Sequence, residues 1–128
     1  MKKIETEKAP KAIGPYSQGV SFQNLLFVSG QLPIDSQTGK LVEGGIRPMT
    51  QQVLKNIEAI LKEGGSSLQK VVRIDIFLKD LKNDFSPMNE EYAKIFPGPI
   101  FPARQTVQVS ELPLGSPIEI SCIAFGES

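Results

Sequence analysis

Residues 48–78, PMTQQVLKNIEAILKEGGSSLQKVVRIDIFL, change the period of their apolar positions once, and that change sets the fold class. Met49, Val53, Leu54, Ile57, Ile60 and Leu61 recur at the 3.6-residue spacing of an amphipathic helix, with Lys55, Glu58 and Lys62 on its wet side. Pro48 suits a first turn, where a missing N–H costs nothing, and Gly64-Gly65 can supply a left-handed ending. From Val71 the period falls to two. Val72, Ile74, Ile76 and Leu78 take one face of a strand, and Val71, Arg73, Asp75 and Phe77 take the other.

Working outward, GVSFQ and LLFVSG within residues 19–30 predict a hairpin turning at Gln23-Asn24, with Asn24 expected in the left-handed conformation. A second helix is expected from Ser86-Pro87, carrying Met88, Tyr92, Ile95 and Phe96 on one face, until Pro97-Gly98-Pro99 stops it. Residues 104–109 and 118–125 alternate as strands. The order strands, helix, strand, helix, strands predicts a single α+β domain over 1–128, with two helices covering one face of a sheet. The other face is expected to hold Phe77, Ile123 and Phe125 beside Arg73, Asp75, Arg104, Thr106 and Glu119. A second copy of the chain would cover it, so an oligomer is expected.

Composition removes several function classes. Among 128 residues, 14 basic side chains balance 14 acidic ones, and no stripe of Lys or Arg suggests a nucleic-acid partner. No apolar run approaches the ~20 residues a membrane helix needs, and the N-terminus lacks a signal-type apolar segment, so a cytoplasmic location is expected. One cysteine excludes an intrachain disulfide. The lack of histidine excludes imidazole metal sites and Ser-His-Asp catalysis. No G-x-G-x-x-G or P-loop is present, and no lysine interrupts an apolar strand as a Schiff-base lysine would, so no metal and no cofactor are expected.

The remaining candidates are few. Arg104, after Phe101-Pro102-Ala103, is either a bidentate anion clamp or a solvated edge arginine or structural ion pair. Glu119 interrupts a β-branched strand and is either a general base, a water-orienting group or a surface charge. Tyr16 and Ser29 offer hydroxyls on loop-like segments. Asn89 could bond a substrate or cap a helix. Cys122 falls on the apolar side of its strand and reads as a buried hydrophobe.

Five segments of the chain together resemble the RidA (YjgF) family: AIGPYSQGV at 12–20, FVSGQLPID at 27–35, FLKDL at 77–81, MNEEYAKIFP at 88–97 and FPARQTVQVSELPLGSPIEISCIA at 101–124. The resemblance implies a chorismate-mutase-like homotrimer with three clefts at its subunit boundaries. It also implies cofactor-free hydrolysis of enamines and imines such as 2-iminobutanoate and 2-iminopropanoate to 2-oxo acids and ammonia. It assigns Arg104 to the substrate carboxylate, Glu119 to the attacking water, and Tyr16, Ser29, Gly30 and Asn89 to the cleft. Tyr92 matches an aromatic cleft position more loosely. At Thr106 many members carry cysteine, so thiol chemistry there is not expected, although a threonine hydroxyl can still bond a water.

Rival readings are a non-catalytic trimer that binds a small 2-oxo acid through the same Arg104, the endoribonuclease activity attributed to some relatives, and a chaperone-like or protein-partner role. The lack of histidine and of a basic patch argues against the endoribonuclease. If residues 104–109 and 118–125 form a hairpin with Val109 opposite Ile118, Arg104 lies opposite Ile123, roughly 14 Å from Glu119. The cleft would then take Arg104 from one subunit and Glu119 from its neighbour.

Overall fold

The strand over residues 118–125 sorts the chain into two layers. Its Ile118, Ile120, Cys122 and Ala124 are buried, whereas Glu119, Ser121, Ile123 and Phe125 point to the opposite side. The computed structural model describes residues 1–126; residues 127–128 of the expected domain lie outside the described residues. In chain order the elements are β1 (Lys2–Ile4), β2 (Gly19–Phe22), β3 (Leu25–Gln31), α1 (Ile46–Glu63), β4 (Val71–Leu78), α2 (Leu81–Ile95), β5 (Ala103–Gln108) and β6 (Ile118–Phe125). They form one mixed sheet in the order β1-β2-β3-β6-β4-β5, with the two helices on one face. This is the expected α+β architecture.

Strand chemistry explains that order. The buried row of β6 is apolar on both flanks, so β6 takes the centre, antiparallel to β3 and to β4. The polar strand ARQTVQ takes an edge, parallel to β4, where its outer backbone groups can meet water. The expected hairpin between residues 104–109 and 118–125 is therefore not formed, because β4 lies between them. Val109 donates its N–H to the Leu78 carbonyl at 2.9 Å, and Lys79 donates to the Pro117 carbonyl at 3.0 Å, so both ends of that connection are fastened to β4.

The core packs α1 onto β3, β6 and β4. Val53, Leu54, Ile57, Ile60 and Leu61 are fully buried against Ile74, Ile76, Ile118 and Ile120. Each such side chain contributes on the order of 1.5–3 kcal/mol on leaving water. A bulge in β4 reverses two expected face assignments: Val71 pairs with Ala124 while Arg73 pairs with the preceding Ile123. The extra residue turns Val72 outward, 42% exposed, and Val71 into the core at 7%. In the β2–β3 turn the left-handed residue is Gln23, with φ 56°, and not Asn24.

The second helix starts five residues before the expected Ser86. Asp80 caps it by accepting the Asn83 N–H at 3.2 Å, and Pro87 lies inside it. A proline that reads as a helix start thus costs the helix only one backbone bond. The two helices are tied by Glu91, whose side chain is 3% exposed. It accepts from Arg47 at 3.0 Å, Gln51 at 2.6 Å and Lys94 at 3.1 Å.

Those bonds, led by the one from Gln51 and followed by Lys94 and Arg47, hold the Glu91 carboxyl down at about 2. The folded value lies below the ordinary 4.5, so this stabilisation is complete above 4.5 and is lost as the pH falls towards about 2. Thermal unfolding followed by circular dichroism at several pH values checks it. The wild-type midpoint falls through that window, and the advantage over Glu91→Gln seen at neutral pH closes. Parallel curves for the two proteins would show that the tie does not drive the acid sensitivity.

Candidate functional site

Strand alternation and the β3 bulge build the first cluster. Between Val28 and Gln31 the β3–β6 register slips, so Ser29 and Gly30 oppose a single residue of β6 and the backbone swells beside Glu119. A Cβ on Gly30 would stand 2.7 Å from Cδ of Glu119 and 2.8 Å from its Oε2. Only glycine leaves room for that carboxyl. Glu119 opens into a cavity of about 670 Å³ lined by Tyr16, Ser29, Gly30, Ile34 and Leu114 among others. No ion pair reaches it among the described residues, and burial alone pushes its carboxyl above the ordinary carboxylate value.

The hydroxyls around this cavity have defined roles. Ser29 donates its Oγ–H to the Ser17 carbonyl at 2.6 Å, so its oxygen has only acceptor capacity left to offer the cavity. Tyr16 is 54% exposed and its hydroxyl accepts the Ile13 N–H at 3.4 Å. The loop bearing Tyr16 is pinned by Gln18, 3% exposed. Its amide donates to the Thr6, Ala9 and Pro10 carbonyls and accepts from the Thr6 N–H at 2.7 Å.

The second cluster lies under α2. Partners in a parallel ladder face the same side, and Arg104 pairs with Ile74 while Thr106 pairs with Ile76. Arg104 and Thr106 are therefore on the helix face, which corrects their expected place on the open one; Gln105 and Val107 face outward instead. The reason is the parallel run of β5 beside β4, which sets its phase by that of the buried isoleucines. Phe85, Asn89 and Tyr92, at i, i+4 and i+7 on α2, receive the arginine. Nη1 donates to Asn89 Oδ1 at 2.7 Å, and the guanidinium lies 4.7 Å from the Tyr92 ring centroid and 5.8 Å from that of Phe85.

Three side chains thus orient the fork, and a planar guanidinium held in this way can pair with a carboxylate. Asn89 is an orienting group inside a helix and not a cap. Tyr92, 6% exposed, lies beneath the arginine. Its phenol is pushed up by burial, against the opposing pull of Arg104. The hydroxyls of Tyr92 and Thr106 are buried and have no well-formed hydrogen bond among the described residues. Cys122 belongs to neither cluster; burial pushes its thiol up to about 12.

Each of the expected site residues therefore falls into one of two groups: Tyr16, Ser29, Gly30 and Glu119, or Asn89, Tyr92, Arg104 and Thr106. Glu119 pairs with Phe77, whose other partner is Val107, so the carboxylate and the arginine project from opposite faces of one sheet. They cannot hold the same small molecule within one chain. Sequence reasoning missed Phe85, Gln18 and Leu114. Phe85 carried a helical-spacing signal that the late helix start hid, whereas the other two gave none.

The chain matches the family described as Endoribonuclease L-PSP over residues 6–125. It is 52% identical over 124 residues to a RutC family protein of Pyrococcus abyssi, covering 97% of this chain and 96% of the relative. It is 46% identical over 123 residues to the 2-iminobutanoate/2-iminopropanoate deaminase of Mus musculus, covering 96% and 90%. Its fold superposes on the crystal structure of E. coli TdcF with bound serine at a TM-score of 0.93 and 38% identity, covering 99% of this chain and all of that one.

Gly30→Ala drives a methyl group into the Glu119 carboxyl, so the side chain must swing away. The expected outcome is a loss of about 1–3 kcal/mol in denaturant unfolding and a Glu119 titration, followed by carboxyl-carbon NMR, that moves down towards the ordinary value. An unmoved titration would place the crowding elsewhere. The Cys122 thiol stays unmodified by iodoacetamide at pH 8 in the native protein and reacts in denaturant; mass spectrometry reads both.

Proposed function

The chain belongs to the RidA/YjgF family, and on that premise we propose that it hydrolyses small 2-imino acids, such as 2-iminobutanoate and 2-iminopropanoate, to 2-oxo acids and ammonia in a cleft made by two copies of the chain. One observation carries the reading: each cluster is half of a site. Among the described residues the Glu119 cavity holds a carboxylate that no cation pairs with, although Lys11 lies on its lining, and the Arg104 cluster presents an oriented cation with no base. The sheet face that bears Glu119 also exposes Phe27, Val107 and Phe125 by 37–40%, which favours burial against a neighbour. A homotrimer satisfies both needs with head-to-tail contacts.

In that cleft the substrate carboxylate docks on the fork of Arg104, held in place by Asn89 and the Tyr92 and Phe85 rings. The enamine tautomerises to the imine, whose carbon is electrophilic. Glu119 takes a proton from water as the C–O bond forms and returns it to nitrogen, giving a carbinolamine; it then carries the hydroxyl proton to nitrogen as the C–N bond breaks, the carbonyl forms and ammonia leaves. Imine and water become 2-oxo acid and ammonia, so atoms balance without a redox partner. Ser29, accepting through Oγ, can hold the water or the departing N–H. The serine bound by E. coli TdcF, itself a 2-amino acid, supports a carboxylate as the shared handle.

Coupled assays that generate the imine in situ, with a scavenger amine as the competing route, test the reading. Added protein is expected to accelerate 2-oxo acid release. Arg104→Lys keeps the charge but loses the bidentate fork, and its kcat/KM is expected to fall 10- to 100-fold, about 1.4–3 kcal/mol. The base must be ionised, so activity falls on acidification with a limb above the ordinary carboxylate value. Release no faster than the uncatalysed rate would leave a binding protein and not an enzyme.

A further inference from the structure

Leu114 stands at the mouth of the Glu119 cavity in a conformation that leucine rarely adopts. Its φ is 59° and ψ 17°, the left-handed region. The turn that imposes this is tight: Gly115 N–H donates to the Leu112 carbonyl at 3.2 Å and Ser116 N–H to the Pro113 carbonyl at 3.1 Å. Such a turn, with proline first and a positive φ second, takes glycine or asparagine at its second central position without strain. Most other positive-φ positions among the described residues are glycines, and the one further exception, Gln23, is polar and lies in a hairpin turn. Leu114 repays its strain with little packing, because its side chain is 70% exposed.

A strained, exposed, apolar side chain is held where it lines a cavity. Around it the cavity divides: Glu119, Ser29 and Tyr16 supply the polar part, and Ile13, Ile34 and Leu114 supply an apolar part. We propose that Leu114 is a specificity residue that favours 2-imino acids with longer apolar side chains over the three-carbon substrate. This rests on the deaminase reading of the same cavity. A substrate whose reacting carbon is served by Glu119 extends its side chain along the apolar part, where Leu114 shields it from water.

The test compares kcat/KM for 2-imino-4-methylpentanoate and 2-iminopropanoate in wild type, Leu114→Gly and Leu114→Asn, both variants being at ease with the backbone. The expected result is a preference for the larger imine in wild type that drops about 5- to 10-fold in both variants, as loss of a few buried methyl groups allows. The thermal midpoint of Leu114→Gly does not fall. Calorimetric binding of 4-methyl-2-oxopentanoate against pyruvate gives a second reading that needs no turnover. A wild type that hydrolyses neither imine would remove the deaminase reading, while the binding preference and its loss in the variants would still uphold the role of Leu114. An unchanged preference in both assays, or an equal loss on both substrates with a lowered midpoint, would overturn it.

Discussion

The parallel pairing of β5 with β4 is the constraint on which the site depends. Because Arg104 is in register with Ile74 and Thr106 with Ile76, the phase of the buried isoleucines decides which way the arginine points. It points under α2, where Asn89 and two aromatic rings hold the fork. The antiparallel pairing of β6 with β4 turns Glu119 the other way, beside Phe77. A one-residue slip of β5 would move the arginine to the far face and put Gln105 or Ala103 under the helix. The chemistry is thus written into the register of two ladders before any side chain is placed.

The same sheet explains why the two clusters differ in character. Arg104 sits on a rigid platform, since α2 is tied to α1 through Glu91, and the core beneath is fully buried. Glu119 sits on the less covered face, but its surroundings are fixed by polar pins. Gln18 gathers residues 6–10, and Asn56 donates to the Leu32 and Ile34 carbonyls, at 3.1 and 2.9 Å. Buried amides of this kind are costly unless fully bonded, and here they convert loops into a cavity wall. A cavity wall held this firmly keeps a carboxylate desolvated, which raises its affinity for a proton.

Much of this was legible in the residues. The α1 stripe, the β2–β3 hairpin and the alternation of β6 followed from apolar periodicity, which packing then enforces. Periodicity is blind to strand order, and so the β5–β6 hairpin was the natural expectation for two consecutive strands; only the greater burial of β6 moves it to the centre. That error placed Arg104 on the wrong face. The start of α2 was obscured by Pro87, whose single lost bond the helix tolerates. Bulges at Val72 and at Ser29-Gly30 each arise from a ladder slip that no local pattern announces. The site residues came through family resemblance, because an arginine and a glutamate at strand positions read equally well as surface charges.

The central claim is that Arg104 and Glu119 act together only across two copies of the chain. Arg104→Ala and Glu119→Gln, each inactive alone, are to be unfolded, mixed in equal amounts and refolded, with mixed assembly verified by mass spectrometry using a tag on one variant. A cleft is repaired when its arginine side comes from the second variant and its glutamate side from the first, which random mixing in a trimer achieves in about one cleft in four. The account predicts recovery of about a quarter of wild-type imine hydrolysis. Mixed assemblies that remain as inactive as either parent would contradict it, and would place both residues in the service of a single chain.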